Sequence, residues 1–239
     1  MANFIKKWSS CGVDILSEAQ KKAFALGQAV DSRAGIFGGM VDVNEAGLVI
    51  LPVPWEGTAS YGGGSALAPL GVLTASHQLD LEDPWFGRAY GLAPAFAQAS
   101  EELLDLNRHA QLRQTKDWIN KASCKVDTWV ETQASKWFEL GKAVAVIGGE
   151  HSVSYGLLKS LSNQLPSFSI LHIDAHFDLR CAYEGYERSH ASIMYNVLEN
   201  LPQVDKIVHV GIRDFSAEEL CRSHASKFGL HTIVISFDY

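Results

Sequence analysis

Cysteine is scarce: Cys11, Cys124, Cys181 and Cys221 lie far apart, with no CxxC pair among them. In a chain of 239 residues that spacing argues against a disulfide framework and points to a reduced, cytoplasmic protein. Long apolar runs are missing too; no stretch approaches the roughly 20 residues of a bilayer span. The opening Met1-Ala-Asn-Phe-Ile-Lys-Lys-Trp8 lacks the apolar core of a secretory signal. Basic charge is in short supply, with 20 Lys and Arg against 27 Asp and Glu. The formal charge of −7 gives no footprint for nucleic acid or an anionic membrane. Repeats, low-complexity tracts and a clear linker are all absent. The length suits one large α/β domain, residues 1–239, with 1–46 as an N-terminal extension packed on it.

The pattern along the chain supports that class. Ser17 with Gln20 resembles a capping box and opens a helix from Lys21 to Ala29. The apolar run Gly47 to Pro52 reads as a buried strand, followed by the glycine-rich loop 54–64. Residues 95–110 and 113–140 read as helices. In the second, Trp118, Ala122, Val126, Trp129, Val130, Gln133 and Trp137 recur at threes and fours, a core stripe and not a stacking platform. Strands at 143–147, 168–173, 206–210 and 231–237 then alternate with helices at 153–162, 191–200 and 217–228. Such alternation predicts a parallel sheet with helices on both faces, and ligands beyond the carboxyl ends of its strands.

His151, Asp174, His176 and Asp238 all fall at or just past such an end. The segment Leu171-His-Ile-Asp-Ala-His-Phe-Asp178 sets Asp174, His176 and Asp178 at alternate positions. On an extended strand these would share one face, and His172 is read as a packed strand histidine. Carboxylates with imidazole suit Mn²⁺ or a similar hard divalent ion. Each residue taken alone has a plainer reading: Asp174 as a turn cap, His151 as the first residue of a helix after a Gly-Gly turn. Three ordered motifs at strand ends outweigh those readings.

Gly148-Gly-Glu-His-Ser152, Asp174-Ala-His-Phe-Asp178 and Ser236-Phe-Asp238 resemble the three successive metal motifs of the ureohydrolase family, arginase, agmatinase and relatives. Val53 to Tyr61 is similar to that family's early glycine-rich loop, and Val210-Gly-Ile-Arg-Asp214 to its GxR strand end. The resemblance implies a three-layer α-β-α fold with a mostly parallel central sheet, and a binuclear manganese centre. His151, Asp174 and Asp178 would bind one ion and His176 the other, with Asp174 and Asp238 bridging. Two ions would share a water and lower its pKa, and the resulting hydroxide would attack a guanidinium carbon to release urea and an amine. His190, at the place of the family's loop histidine, would shuttle the proton, although Ala191 follows it where glycine is usual. Ser189 and His190 also suit a plain helix start.

Substrate follows from smaller differences. Arginases carry an acidic residue near Ser216 for the substrate's α-amino group; here Ser216 and Glu219 read as a capping box. That favours a decarboxylated guanidino compound such as agmatine over arginine. Arg180 either faces solvent or lines the pocket, where it would favour a guanidino acid. The family pattern SxDxDxxDP breaks off after Asp238-Tyr239, so the expectation is a fragment of a longer ureohydrolase, its C-terminal strands absent, with weak second-metal binding and little turnover. The resemblance also implies a homo-oligomer. A metallophosphoesterase would need GDxxD and GNH[DE] segments, which the chain lacks. A reading of another class is a non-catalytic relative acting as an oligomer or interaction subunit.

Overall fold

The computed structural model describes residues 35–39, 41–79, 82, 83, 85, 87, 88, 93–112, 114–225 and 231–233. The expected helix at 21–29 and the ligand Asp238 therefore lie outside the described residues.

The first parallel sheet has the order β4-β1-β5, with β1 at Leu48–Val53, β4 at Pro94–Phe96 and β5 at Ala143–Gly148. β1 pairs with β5 in register from Leu48↔Ala143 to Val53↔Gly148. Buried along almost its whole length, β1 reads as a continuous apolar run, as a strand covered on both faces should. Between β1 and β4 lie helix α1, Ala68–Ser76, and a short antiparallel ladder of β2, Glu82–Asp83, with β3, Gly87–Arg88. Residues 95–110 are not one helix: after β4 the chain caps α2, Glu101–Ala110, with Ser100, whose side chain accepts from the Leu103 N–H.

α3, Lys116–Glu139, is capped by Thr115 and lies across β1 and β5. Its buried stripe of Ile119, Ala122, Val126, Val130, Ala134 and Trp137 meets Val49, Leu51, Val53 and Trp55. The tryptophan stripe is thus core: Trp137 is buried in the cluster with Val49 and Leu51, and Trp118 and Trp129, partly buried, pack against the cluster of Val53 and Trp55. Val41, Val43 and Ala46 close this core from the N-terminal side.

The second parallel sheet has the order β6-β7-β8, with β6 at Phe168–Ile173, β7 at Val204–Val210 and β8 at His231–Ile233. α4, Tyr155–Ser162, carries the crossover from β5 to β6 and packs on α3. α5, Ile193–Asn200, buries Ile193, Met194 and Val197 against Ile170, Ile207 and Phe177. α6, Ala217–Ala225, follows β7. Pairing is parallel throughout both sheets, as the alternation predicts. The strands nevertheless fall into two groups, because β5 and β6 are not hydrogen-bonded to each other. On β6, Leu171 (65%) and Ile173 (72%) stand exposed while Ile170 and His172 point into the core. Among the described residues no helix is long and apolar enough to cross a membrane.

Candidate metal centre

Three loops meet beyond the carboxyl ends of β5, β6 and β1. The loop after β5 lies so close to the loop after β1 that Glu150 N–H donates to the Trp55 carbonyl at 2.9 Å. A Cβ on Gly149 would sit 1.9 Å from that same oxygen, so only glycine permits the approach. His151 then opens a 3₁₀ turn, His151–Ser154, which starts the crossover to α4.

β6 ends at Ile173, one residue before the first acid of the motif. The strand alternation expected to align Asp174, His176 and Asp178 therefore stops before it reaches them. Asp174 instead makes a turn, its Oδ1 accepting the His176 N–H at 2.9 Å. Asp178 lies in the left-handed region with φ 54°, where Asp is tolerated better than most residues. Its carbonyl accepts the N–H groups of Met194 and Tyr195, each at 3.1 Å, so the start of α5 fixes that conformation.

The outcome is a tight group of His151, His172, Asp174 and Asp178, whose ligand atoms all lie within 4.8 Å of one another. His151 Nδ1 is 2.6 Å from Asp178 Oδ2 and 3.5 Å from Asp174 Oδ2. His176 is not in this group: 55% exposed, it places Nδ1 3.3 Å from Asp174 Oδ1 and Nε2 3.5 Å from Asp214 Oδ2. His172, buried as a strand histidine should be, nonetheless turns Nε2 toward Asp174 Oδ2 at 3.7 Å. Strand parity carried a signal for this, since His172 lies two residues before Asp174 and so on the same face of the strand.

Electrostatics match a cation site. Burial pushes Asp174 up, but His172, the His176 N–H and the charge of His151 outweigh it and hold the carboxyl well below its usual range. Burial pushes His151 down, yet the hydrogen bond and charge of Asp178, with the charge of Asp174, raise it above an ordinary imidazole. Buried His209 is pushed down to about 4, by burial first and by His172 second. Hard carboxylate oxygens with imidazole nitrogens fit a hard divalent ion.

His190 sits in the turn His190–Ser192, which packs against the His151–Ser154 turn. Ser189 caps it by accepting the Ala191 N–H, so the helix-start role is present as well. The His190 ring meets Tyr183 edge-on at 5.9 Å, and its Nδ1 lies 3.4 Å from Thr58 Oγ1.

The arginase family model matches residues 46–236. The chain belongs to the arginase family. It is 32% identical over 177 residues to the N(1)-aminopropylagmatine ureohydrolase of Thermus thermophilus, covering 74% of this chain and 54% of that protein. It is 29% identical over 175 residues to the agmatinase of Bacillus anthracis, covering 73% and 55%. The solved agmatine ureohydrolase of Thermoplasma volcanium superposes with a TM-score of 0.61 at 26% identity, covering 86% of this chain and 62% of that one. The Medicago truncatula arginase gives a TM-score of 0.61 at 21% identity, covering 98% and 68%, which supports the three-layer arginase fold. The chain spans about half the length of the curated relatives it matches.

Ser216 and Arg180, the two positions expected to bear on substrate, both meet Glu219. Ser216 and Glu219 form the expected capping box: Glu219 Oε2 accepts from Ser216 N and Oγ, each at 2.9 Å. Arg180 Nε lies 3.3 Å from the same buried carboxylate, and its guanidinium covers the Tyr183 ring at 4.8 Å.

Proposed function

We propose that this arginase-family chain carries the metal centre of a ureohydrolase that cleaves a guanidino C–N bond to release urea and an amine. The observation that carries the reading is the meeting of His151, Asp174 and Asp178 at the ends of two parallel strands. These three residues would hold one Mn²⁺, and His176, Asp174 and Asp238 a second. When bound, the ions supply a water of lowered pKa as the nucleophile. His190 would carry the proton to the departing amine, steadied edge-on by Tyr183. Glu150 and Thr58 would hold the His190 turn against the metal loop.

Agmatine and related decarboxylated guanidino compounds are the favoured substrates. Arg180 is engaged by Glu219 and Tyr183, so it is not held ready for a substrate carboxylate. Ser216 has no carboxylate to offer an α-amino group, and its hydroxyl donates to Glu219. Arginine or a guanidino acid is the alternative within the same chemistry. The alternative of another class is a metal-binding subunit without turnover, which would follow if His176, outside the tight group, held no second ion.

Urea release from agmatine, N(1)-aminopropylagmatine, arginine and guanidinobutyrate, with the protein loaded with Mn²⁺, tests the reading. The expected result is urea from agmatine or its aminopropyl derivative ahead of the two carboxylated compounds. Bound Mn²⁺ with no urea from any of them would leave the subunit reading instead.

A further inference from the structure

His172 and His209 are cross-strand partners in the register of β6 and β7, and both are buried. Their Nδ1 atoms lie 2.8 Å apart. At that distance one nitrogen donates and the other is bare. Both outer nitrogens, His172 Nε2 and His209 Nε2, lack a hydrogen-bond partner. A buried polar pair of this kind weakens a core that two aliphatic side chains would fill, so it calls for another explanation.

Geometry assigns the hydrogens. His172 Nε2 faces Asp174 Oδ2 at 3.7 Å, and an ionised carboxylate only accepts. A bare nitrogen there would set lone pair against lone pair, so Nε2 carries the hydrogen. A neutral His172 is then bare at Nδ1, and the shared hydrogen belongs to His209 Nδ1. His209 Nε2 is left as a bare acceptor beside the edge-on Phe177 ring, 5.2 Å away between centroids. One donor on β7 therefore sets the tautomer of a histidine on β6, and that tautomer presents an N–H to the central carboxylate.

We propose that His209 is a positioning residue for the metal centre: it fixes the His172 tautomer, and His172 holds the Asp174 carboxylate in the orientation that binds the cation. The proposal rests on the metal-centre reading above. Groups that orient a metal's ligands without touching the metal act on affinity in this way.

The test compares the parent protein with His209→Phe, which removes the donor, and His209→Asn, which places an amide N–H near the position of the imidazole Nδ1. The His172 tautomer is read by long-range ¹H–¹⁵N correlation without metal, and the Mn²⁺ dissociation constant by calorimetric titration. The expected results are an Nε2–H tautomer in the parent and in His209→Asn. Mn²⁺ affinity should fall by about 10–100-fold in His209→Phe, and His209→Asn should recover most of that loss. A bare Nε2 on His172 in the parent overturns the proposal, as does unchanged affinity in His209→Phe or an equal loss in both variants. The parent tautomer decides even where a variant fails to fold. A parent that binds no Mn²⁺ overturns the metal-centre reading itself, and removes the purpose proposed for the pair.

Discussion

The Thr58 hydroxyl donates to Glu150 Oε1 at 2.6 Å and accepts the His190 N–H at 3.1 Å. One side chain thus joins the glycine-rich loop, the residue before His151 and the turn that carries His190. Glu150 is buried, which pushes its carboxyl up; the hydroxyls of Thr58 and Ser152 and the Thr58 N–H pull it back toward the charged form.

Thr58→Val keeps the shape and the backbone N–H but removes this hydroxyl. The buried carboxylate then loses a charge-assisted hydrogen bond, for a cost of about 1–3 kcal/mol. Thr58→Ser keeps the hydroxyl and should stay near the parent. Denaturant unfolding midpoints of the two variants measure the difference, and equal midpoints would remove the clamp from the account.

Gly149→Ala tests the approach of the two loops. The new methyl would meet backbone atoms of Trp55, which have no flexible end to yield. A loss of about 1–3 kcal/mol is expected from overpacking, together with weaker Mn²⁺ binding as His151 shifts. Alanine at Gly63, where the nearest atom is Glu56 Oε1 at 3.4 Å, serves as the control with little effect.

Metal uptake should depend on pH with a defined sign. His151 is raised above an ordinary imidazole, so it holds a proton in the mildly acid range, and a cation must displace that proton. Mn²⁺ affinity should rise with pH and level off above the His151 pKa. Below it, affinity should fall by about tenfold per pH unit for one released proton. Calorimetric titrations in buffers of different ionisation enthalpy count the proton; none released would contradict the assignment.

Asp127 offers a pH test away from the metal. Buried under the turn that carries Arg188, its carboxyl is pushed up to about 7, mainly by burial and against the charges of Arg188 and Lys159. The folded protein keeps this proton over a range where the unfolded chain releases it. Its contribution to stability is therefore fully present below the ordinary value of 3.8 and lost as pH rises toward about 7. In Asp127→Asn that loss should vanish, so the stability gap between parent and variant should shift in the variant's favour from pH 4 to 7. Parallel denaturant curves across that range would show a constant gap if Asp127 were ordinary.

Much of the architecture was legible because β-strand and helix periods are local. β6 falls on the expected residues, Phe168–Ile173, and the α3 stripe is core as its spacing required. α1 escaped notice: Pro69 and Gly71 interrupt it, and it shows no apolar stripe to separate it from a loop. The candidate site was legible in its residue types but not in its geometry. Asp174 and Asp178 meet His151 through a turn and a left-handed residue, which alternation cannot encode. His172 was legible by parity, two residues before Asp174 on the same strand face, and reading it as a packed strand histidine captured its burial but not its approach to Asp174. His176, assigned to the other ion by spacing and resemblance, lies outside the tight group, between Asp174 and Asp214.

Ion binding by the His151, Asp174 and Asp178 group is read by equilibrium dialysis against Mn²⁺, with the parent beside Asp178→Asn. At least one ion should be retained per parent chain near neutral pH and lost in the variant, with both proteins folded by circular dichroism. No retention by the parent, or equal retention by the two, would contradict the metal-centre assignment.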